Sequence, residues 1–174
     1  MIPQFAGLND AEKKLLIDTI PMITALIAGA DGNIDSEEKE WASKIMKIRG
    51  YQHPPALEGY YELVGAEFAT RLDKLIETLP SGTDERNNMI SDELAQLNDI
   101  LPKMAPLHGA HFYHSFVTFA EHVAKASGGF LGFGSISRAE GKYVGLPMIN
   151  KIEMPEDGVE DPFADEKQDT EAED

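Results

Sequence analysis

The sequence predicts an all-α fold, in which one helical bundle of about seven helices is followed by a disordered acidic tail. Apolar residues recur at spacings of three and four through most of the chain, which is the period of an amphipathic helix. No segment shows the strict alternation of apolar and polar residues that a half-buried strand requires. A length of 174 residues suits one domain. We place this domain at residues 1–152 and the tail at residues 153–174.

The first helix begins at a capping box and leads into the most apolar run of the chain. Asn9 and Glu12 have the spacing at which each side chain accepts a hydrogen bond from the other residue's backbone N–H. Pro21 lacks an N–H, so it is expected to kink this helix or to begin the next one. The run PMITALIAGA, which starts at Pro21 and ends at Ala30, is apolar on all sides and predicts the centre of the core.

Further helices are expected between the first turn and Met104. One ends at Gly50, a long one opens at His53-Pro54-Pro55, and the next is capped by Thr83. Their apolar positions have helical spacing and are, in chain order, Trp41, Ile45, Ile48, Leu57, Tyr61, Val64, Phe68, Leu75, Leu79, Ile90, Leu94, Leu97, Leu101 and Met104. Pro102 is expected to kink or end the last of these helices.

A helix from about Leu107 to Ala126 carries four of the five histidines of the chain. On a helical wheel its apolar residues form two strips, which hold Phe112, Phe116, Phe119 and Val123, and Tyr113, Val117 and Ala124. The remaining face is polar and holds His111, His114, Ser115, Thr118, Glu121, His122 and Lys125. These neighbours predict a solvent-exposed histidine stripe, because a zinc site would need a fixed acidic partner that the sequence does not identify.

Charge and composition exclude several classes of function. The net charge is −16, and without a basic face the chain is not expected to bind nucleic acid. The absence of cysteine excludes disulfides, thiolate metal sites and cysteine nucleophiles. Neither a signal peptide nor an apolar run of about 18 residues is visible, so a cytoplasmic protein without membrane insertion is expected.

The tail carries much of the negative charge. Residues 153–174 hold 11 acidic side chains and one lysine, with few apolar residues, which predicts disorder. Two interpretations remain open. The tail either keeps the protein soluble or acts as a docking segment for a basic partner, centred on Asp161-Pro162-Phe163.

An acidic turn after the apolar run is the main candidate for a functional site. Asp31, Asp35 and Glu38 fall within one short stretch, and carboxylate oxygens are the ligands that hard divalent cations prefer. The same residues are also typical of a turn with helix caps and no ligand. A standard EF-hand does not fit, because its first two ligand positions would fall on Ile27 and Gly29.

A glycine-rich stretch from Ala126 to Ser135 is the second candidate. It lacks the lysine and the preceding strand of a phosphate-binding loop, so a flexible loop held by its aromatic residues is favoured. The flanking residues repeat the pattern around the acidic turn. Ile23, Ile27, Ala28 and Ala30 match Phe119, Val123, Ala124 and Ala126, and Gly32, Ile34 and Glu38 match Gly134, Ile136 and Glu140. This match predicts an internal helix-turn-helix duplication with pseudo-twofold symmetry, which could direct Glu38 and Glu140 into one site.

The runs IAGADGNIDSEEKE and VAKASGGFLGFGSISRAE resemble the two signatures of the TerB-like tellurite-resistance domain. The resemblance covers about residues 8–150 and implies an all-helical, pseudo-symmetric domain with an acidic divalent-metal site. Position by position, it implies Asp31, Asp35, Glu38 and Glu140 as metal ligands. Ser127 and Ser137 stand where more symmetric copies have acids. The resemblance also implies a role in stress response or membrane-associated metal sensing, without established catalysis.

We therefore expect a non-enzymatic, cytoplasmic adaptor module that binds Ca²⁺ or Mg²⁺, with Mn²⁺ as a third candidate ion. A membrane-associated protein is its candidate partner. One alternative is a protein-interaction module that needs no metal. Another is a metal-assisted hydrolase, which would need a base or nucleophile beside the acids that the sequence does not show.

Overall fold

The computed structural model describes residues 2–30, 55–130 and 141–155, together with Glu40 and Lys44. Its helices are α1 (Asp10–Ala28), α2 (Pro55–Thr78), α3 (Thr83–Ala95), α4 (Leu97–Ile100) and α5 (Pro106–Phe130), with 3-10 turns at Pro3–Phe5 and Leu101–Lys103. These ranges contain no strand, which confirms the all-α prediction. Within the same ranges, no helix has both the length and the apolar composition that crossing a membrane requires.

Helix α1 begins at the predicted capping box. The Asn9 side chain accepts a hydrogen bond from the Glu12 N–H at 3.0 Å, and the Glu12 carboxylate accepts one from the Asn9 N–H at 2.8 Å. Pro21 neither ends this helix nor starts another, because α1 continues through it to Ala28. The residues from Thr19 to Ala28 are all buried, so the prediction that this run lies in the core is confirmed.

An aromatic cluster joins α1, α2 and α5. The Tyr60 hydroxyl of α2 donates a hydrogen bond to the Leu16 carbonyl of α1 at 2.7 Å. The Tyr60 ring meets Phe112 of α5 edge-on at 4.9 Å between centroids, and Phe5 stacks on Phe112 at 6.4 Å. Most of these side chains are fully buried. Aromatic pairs of this geometry add to the stability that burial alone supplies.

The stretch from Thr83 to Met104 departs from the predicted single helix. Gly82 is the N-cap of α3 and makes no side-chain bond, so the prediction that Thr83 is the cap is wrong; Thr83 is the first helical residue. The apolar stripe then passes through α3, α4 and the 3-10 turn that contains Pro102. Its five predicted members are nevertheless all buried, namely Ile90, Leu94, Leu97, Leu101 and Met104.

Helix α5 is more deeply enclosed than its sequence predicts. Its phenylalanines are buried as expected, but His111 is only 4% exposed and Ser115 only 1%, so the prediction of a solvent-exposed stripe is wrong for both. The Ser115 hydroxyl forms a hydrogen bond with the Tyr61 hydroxyl of α2. A partner helix therefore satisfies polar groups that the wheel assigned to water. The helix also continues to Phe130, so residues 127–130, predicted as loop, are helical.

A C-terminal segment packs against α4. The Asn98 side chain donates to the Met148 carbonyl at 3.0 Å and accepts from the Asn150 N–H at 2.7 Å. Leu146 lies shortly before Met148 in sequence and is fully buried, with a φ of 47° that non-glycine residues seldom adopt. Burial of this side chain and the two Asn98 bonds together hold the backbone in that conformation.

Candidate functional site

The predicted metal ligands Asp31, Asp35, Glu38 and Glu140 all lie outside the described residues. The structure does describe the chain on the near side of each motif. Helix α1 ends at Ala28, three residues before Asp31. Helix α5 ends at Phe130, which lies within the second motif.

The end of α1 is fixed by an arginine from α3. The Gly29 N–H donates to the Ala25 carbonyl at 3.2 Å, which closes the last helical turn. The Arg86 guanidinium donates from Nη2 to the Gly29 carbonyl at 2.5 Å. A cation at this position compensates the negative end of the helix dipole. Ala30 is buried, so the backbone is held in place immediately before the acidic turn begins.

Helices α1 and α5 start at the same end of the bundle. Lys103, three residues before α5, forms an ion pair with Glu12 in the first turn of α1. Phe5, which precedes α1, stacks on Phe112 near the start of α5. With 19 and 25 residues, the two helices span about 28 and 37 Å at 1.5 Å per residue. They also pack against each other. Both helices therefore run toward the opposite end of the bundle, and each ends within one of the two predicted motifs.

The described residues contain no group of three or more histidine, aspartate or glutamate side chains that could hold a metal ion. The histidines of α5 accordingly form no such centre within those ranges. The Nδ1 atom of His122 lies 2.7 Å from the Thr118 carbonyl, one turn earlier on the same helix. His111 is enclosed by the core.

An ionic cluster links α1 and α2. Asp18 of α1 accepts from Lys14 at 2.6 Å and from Arg71 of α2 at 2.5 Å, while Arg71 also binds Glu67 at 2.7 Å. Partial burial alone would lower the pKa of Arg71, but its hydrogen bonds to Glu67 and Asp18 raise it above the usual value. The i, i+4 spacing of each same-helix pair is visible in the sequence, whereas their meeting across two helices is not.

A groove of about 760 Å³ lies beside the Pro3–Phe5 turn, between α1 and α2. We call it the N-terminal groove; its walls include Ile2, Phe5, Ile17, Gly59, Glu62 and Leu63. Its volume falls within the range of about 300–1,000 Å³ that small-molecule sites occupy. The sequence did not reveal it, because its walls come from two separate segments, residues 2–17 and residues 59–63.

Comparison of the chain with models of known protein families, with curated proteins and with solved structures gives no match. The resemblance to the TerB-like family therefore stays a prediction that rests on the two motifs.

Proposed function

We propose that the protein is a non-enzymatic adaptor module that binds one divalent cation at its acidic turn. Asp31, Asp35 and Glu38 supply carboxylates from the first motif, and Glu140 supplies one from the second. All four donors are hard oxygen ligands, which suits Ca²⁺, Mg²⁺ or Mn²⁺ better than ions that prefer nitrogen or sulfur. The proposal includes the internal duplication, with α1 and α5 as equivalent helices and with the segments that follow them, through Glu38 and through Glu140, as equivalent.

One observation carries the proposal, namely the shared direction of α1 and α5. If these helices ran in opposite directions, the two motifs would start at opposite ends of the bundle, about 30 Å apart. The Lys103–Glu12 pair and the Phe5–Phe112 stack instead fix the two helix starts together. This arrangement supports a site that takes ligands from both motifs. The Arg86 bond to the Gly29 carbonyl adds support, because it fixes the backbone from which the first motif leaves.

Isothermal titration calorimetry with Ca²⁺, Mg²⁺ and Mn²⁺, together with thermal denaturation, tests the proposal. An ion that binds only the folded state stabilises it by about 2.7 kcal/mol at an ion concentration 100 times its Kd. This stabilisation raises the midpoint of thermal denaturation. The double variant Asp31→Asn, Glu140→Gln is expected to lose both the heat of binding and this stabilisation. A matched control, Glu77→Gln with Asp92→Asn, removes the same charge from two exposed helical positions and should bind as the unchanged chain does.

The single variants separate a shared site from a local one. Asp31→Asn and Glu140→Gln should each weaken binding of the same ion, because each removes one ligand of a common centre. Binding that survives Glu140→Gln unchanged would confine the site to the first motif. No heat of binding at millimolar ion would overturn the proposal and leave a metal-independent interaction module as the remaining function.

A further inference from the structure

We propose that the N-terminal groove is a binding site for a small apolar ligand that carries one cationic group. This site is separate from the proposed metal site. It is formed by the first turn of the chain, the N-terminal half of α1 and the N-terminal half of α2. The ends of α1 and α5 that lead toward the metal motifs lie at the other end of the bundle.

The walls of the groove are mostly apolar. Ile2, Phe5 and Ile17 line it from one side, and Leu63 lines it from α2. Leu63 is 36% exposed, whereas most large apolar side chains of the described ranges are buried. A concave apolar surface that remains open beside a filled aromatic cluster is the usual setting of a small-molecule site.

Gly59 leaves its part of the groove wall without a side chain. Glycine inside a helix costs about 0.5–1 kcal/mol relative to alanine. A Cβ atom added at Gly59 would meet no other atom within 4 Å, so the fold does not need glycine there. Gly7, on the opposite side of the groove, does need to be glycine because its φ is 86°. A residue that disfavours the helix in which it lies, and that packing does not require there, is typical of functional positions.

The charges around the groove favour a cation. Two charged residues line it, Lys13 and Glu62. Lys13 faces Asp10 at 3.5 Å, whereas Glu62 has no ion-pair partner within the described part of the chain. The net charge of −16 also raises the concentration of cations near the surface and repels anions. An ammonium group beside Glu62, on an apolar body held by Phe5 and Leu63, satisfies both features.

Three compounds of one shape test the proposal: 4-phenylbutylamine, 4-phenylbutanol and 4-phenylbutanoate. Each is titrated into the full chain while NMR follows the amide signals of Gly7, Gly59 and Leu63. We expect saturable shifts with a Kd of about 1 mM for the amine, as suits a ligand of this size. The alcohol should bind about two- to fivefold more weakly, which is the contribution of one exposed ion pair, and the carboxylate more weakly still.

Variants assign the two parts of the interaction. Gly59→Leu introduces a good helix former and fills the groove, so it should abolish the shifts caused by the amine. Glu62→Gln should remove the preference for the amine over the alcohol while leaving the affinity for the alcohol unchanged. The matched control is Glu58→Gln, which removes the same charge from an exposed position of α2 outside the groove and should preserve the preference.

Three results would overturn the proposal. Equal affinity for all three compounds would show that the site does not select charge. An absence of shifts at Gly7, Gly59 and Leu63 would show that the groove takes no ligand of this class. Shifts that persist in Gly59→Leu would place the compounds elsewhere, for example on the acidic tail.

Discussion

The start of α5 and the N-terminal groove lie close together but are packed in opposite ways. At the start of α5, Gly109 approaches the 3-10 turn so closely that a Cβ atom there would lie 2.9 Å from the Leu101 carbonyl oxygen. At the groove, a Cβ atom on Gly59 would meet nothing within 4 Å. Both glycines are helical, but only Gly109 is required by packing. The same residue type therefore marks a closed contact in one region and an opening in the other.

Phe5 lies between the two regions. It stacks on Phe112 of α5 and meets Tyr60 of α2 edge-on at 6.4 Å. It also lines the N-terminal groove. Cores are close-packed, as the α5 contact is, whereas the groove is open to solvent and leaves apolar wall residues such as Leu63 partly exposed. The α5 contact requires its glycine for packing, and the proposal made above assigns the groove's glycine to ligand access.

Gly109→Ala should give the larger effect. The new methyl group would lie against a backbone atom, so α5 or the 3-10 turn must move, and overpacking of this kind costs about 1–3 kcal/mol. The gain in helix propensity offsets only about 0.5–1 kcal/mol of that cost. Chemical denaturation should show a lower midpoint with an unchanged slope. An unchanged or higher midpoint would contradict the closed contact.

Gly59→Ala should have the opposite and smaller effect. With open space around the new methyl group, the main change is a less flexible unfolded chain, which stabilises by about 0.4–1 kcal/mol. The same denaturation experiment should show a higher midpoint. Measured side by side, the two variants serve as controls for each other because the chemical change is identical. A lower midpoint for Gly59→Ala would mean that another part of the chain occupies the groove.

Local signals in the sequence predicted the helices well, and non-local contacts explain where it failed. The Asn9–Glu12 capping box and the apolar run from Pro21 were read correctly because each depends on neighbours within one or two turns. Ser115 of α5 was wrongly predicted to face solvent because its hydroxyl bonds to that of Tyr61, which lies 54 residues away in sequence.

The same limit applies to the candidate sites. A single sequence shows the acidic motifs at residues 31–38 and 140, but not whether their side chains converge. The direction of α1 and α5 supplies part of that information. The N-terminal groove had almost no sequence signal, since its lining residues follow different patterns in separate segments. Only Gly59, an isolated glycine inside a helical pattern, could have drawn notice to it.

The smallest expected effect concerns adjacent residues of α1 that belong to the two regions. Glu12 contacts Lys103, which precedes α5, whereas Lys13 lines the N-terminal groove. The hydrogen bond from Lys103 and, to a smaller extent, the one from the Asn9 backbone hold the pKa of Glu12 below the usual 4.5. Because the folded-state pKa is lowered, Glu12 contributes stability above its unfolded pKa, and this contribution is lost as pH falls through the folded value.

Carbon-detected NMR titration should show the pKa of Glu12 rising toward 4.5 in Lys103→Met and staying low in Lys13→Met. The Asn9 bond remains in both variants, so the rise should be partial. Equal values in the two variants would show that the Lys103 contact does not tie α5 to α1 in solution, and the shared start of these helices would then rest on the Phe5–Phe112 stack alone.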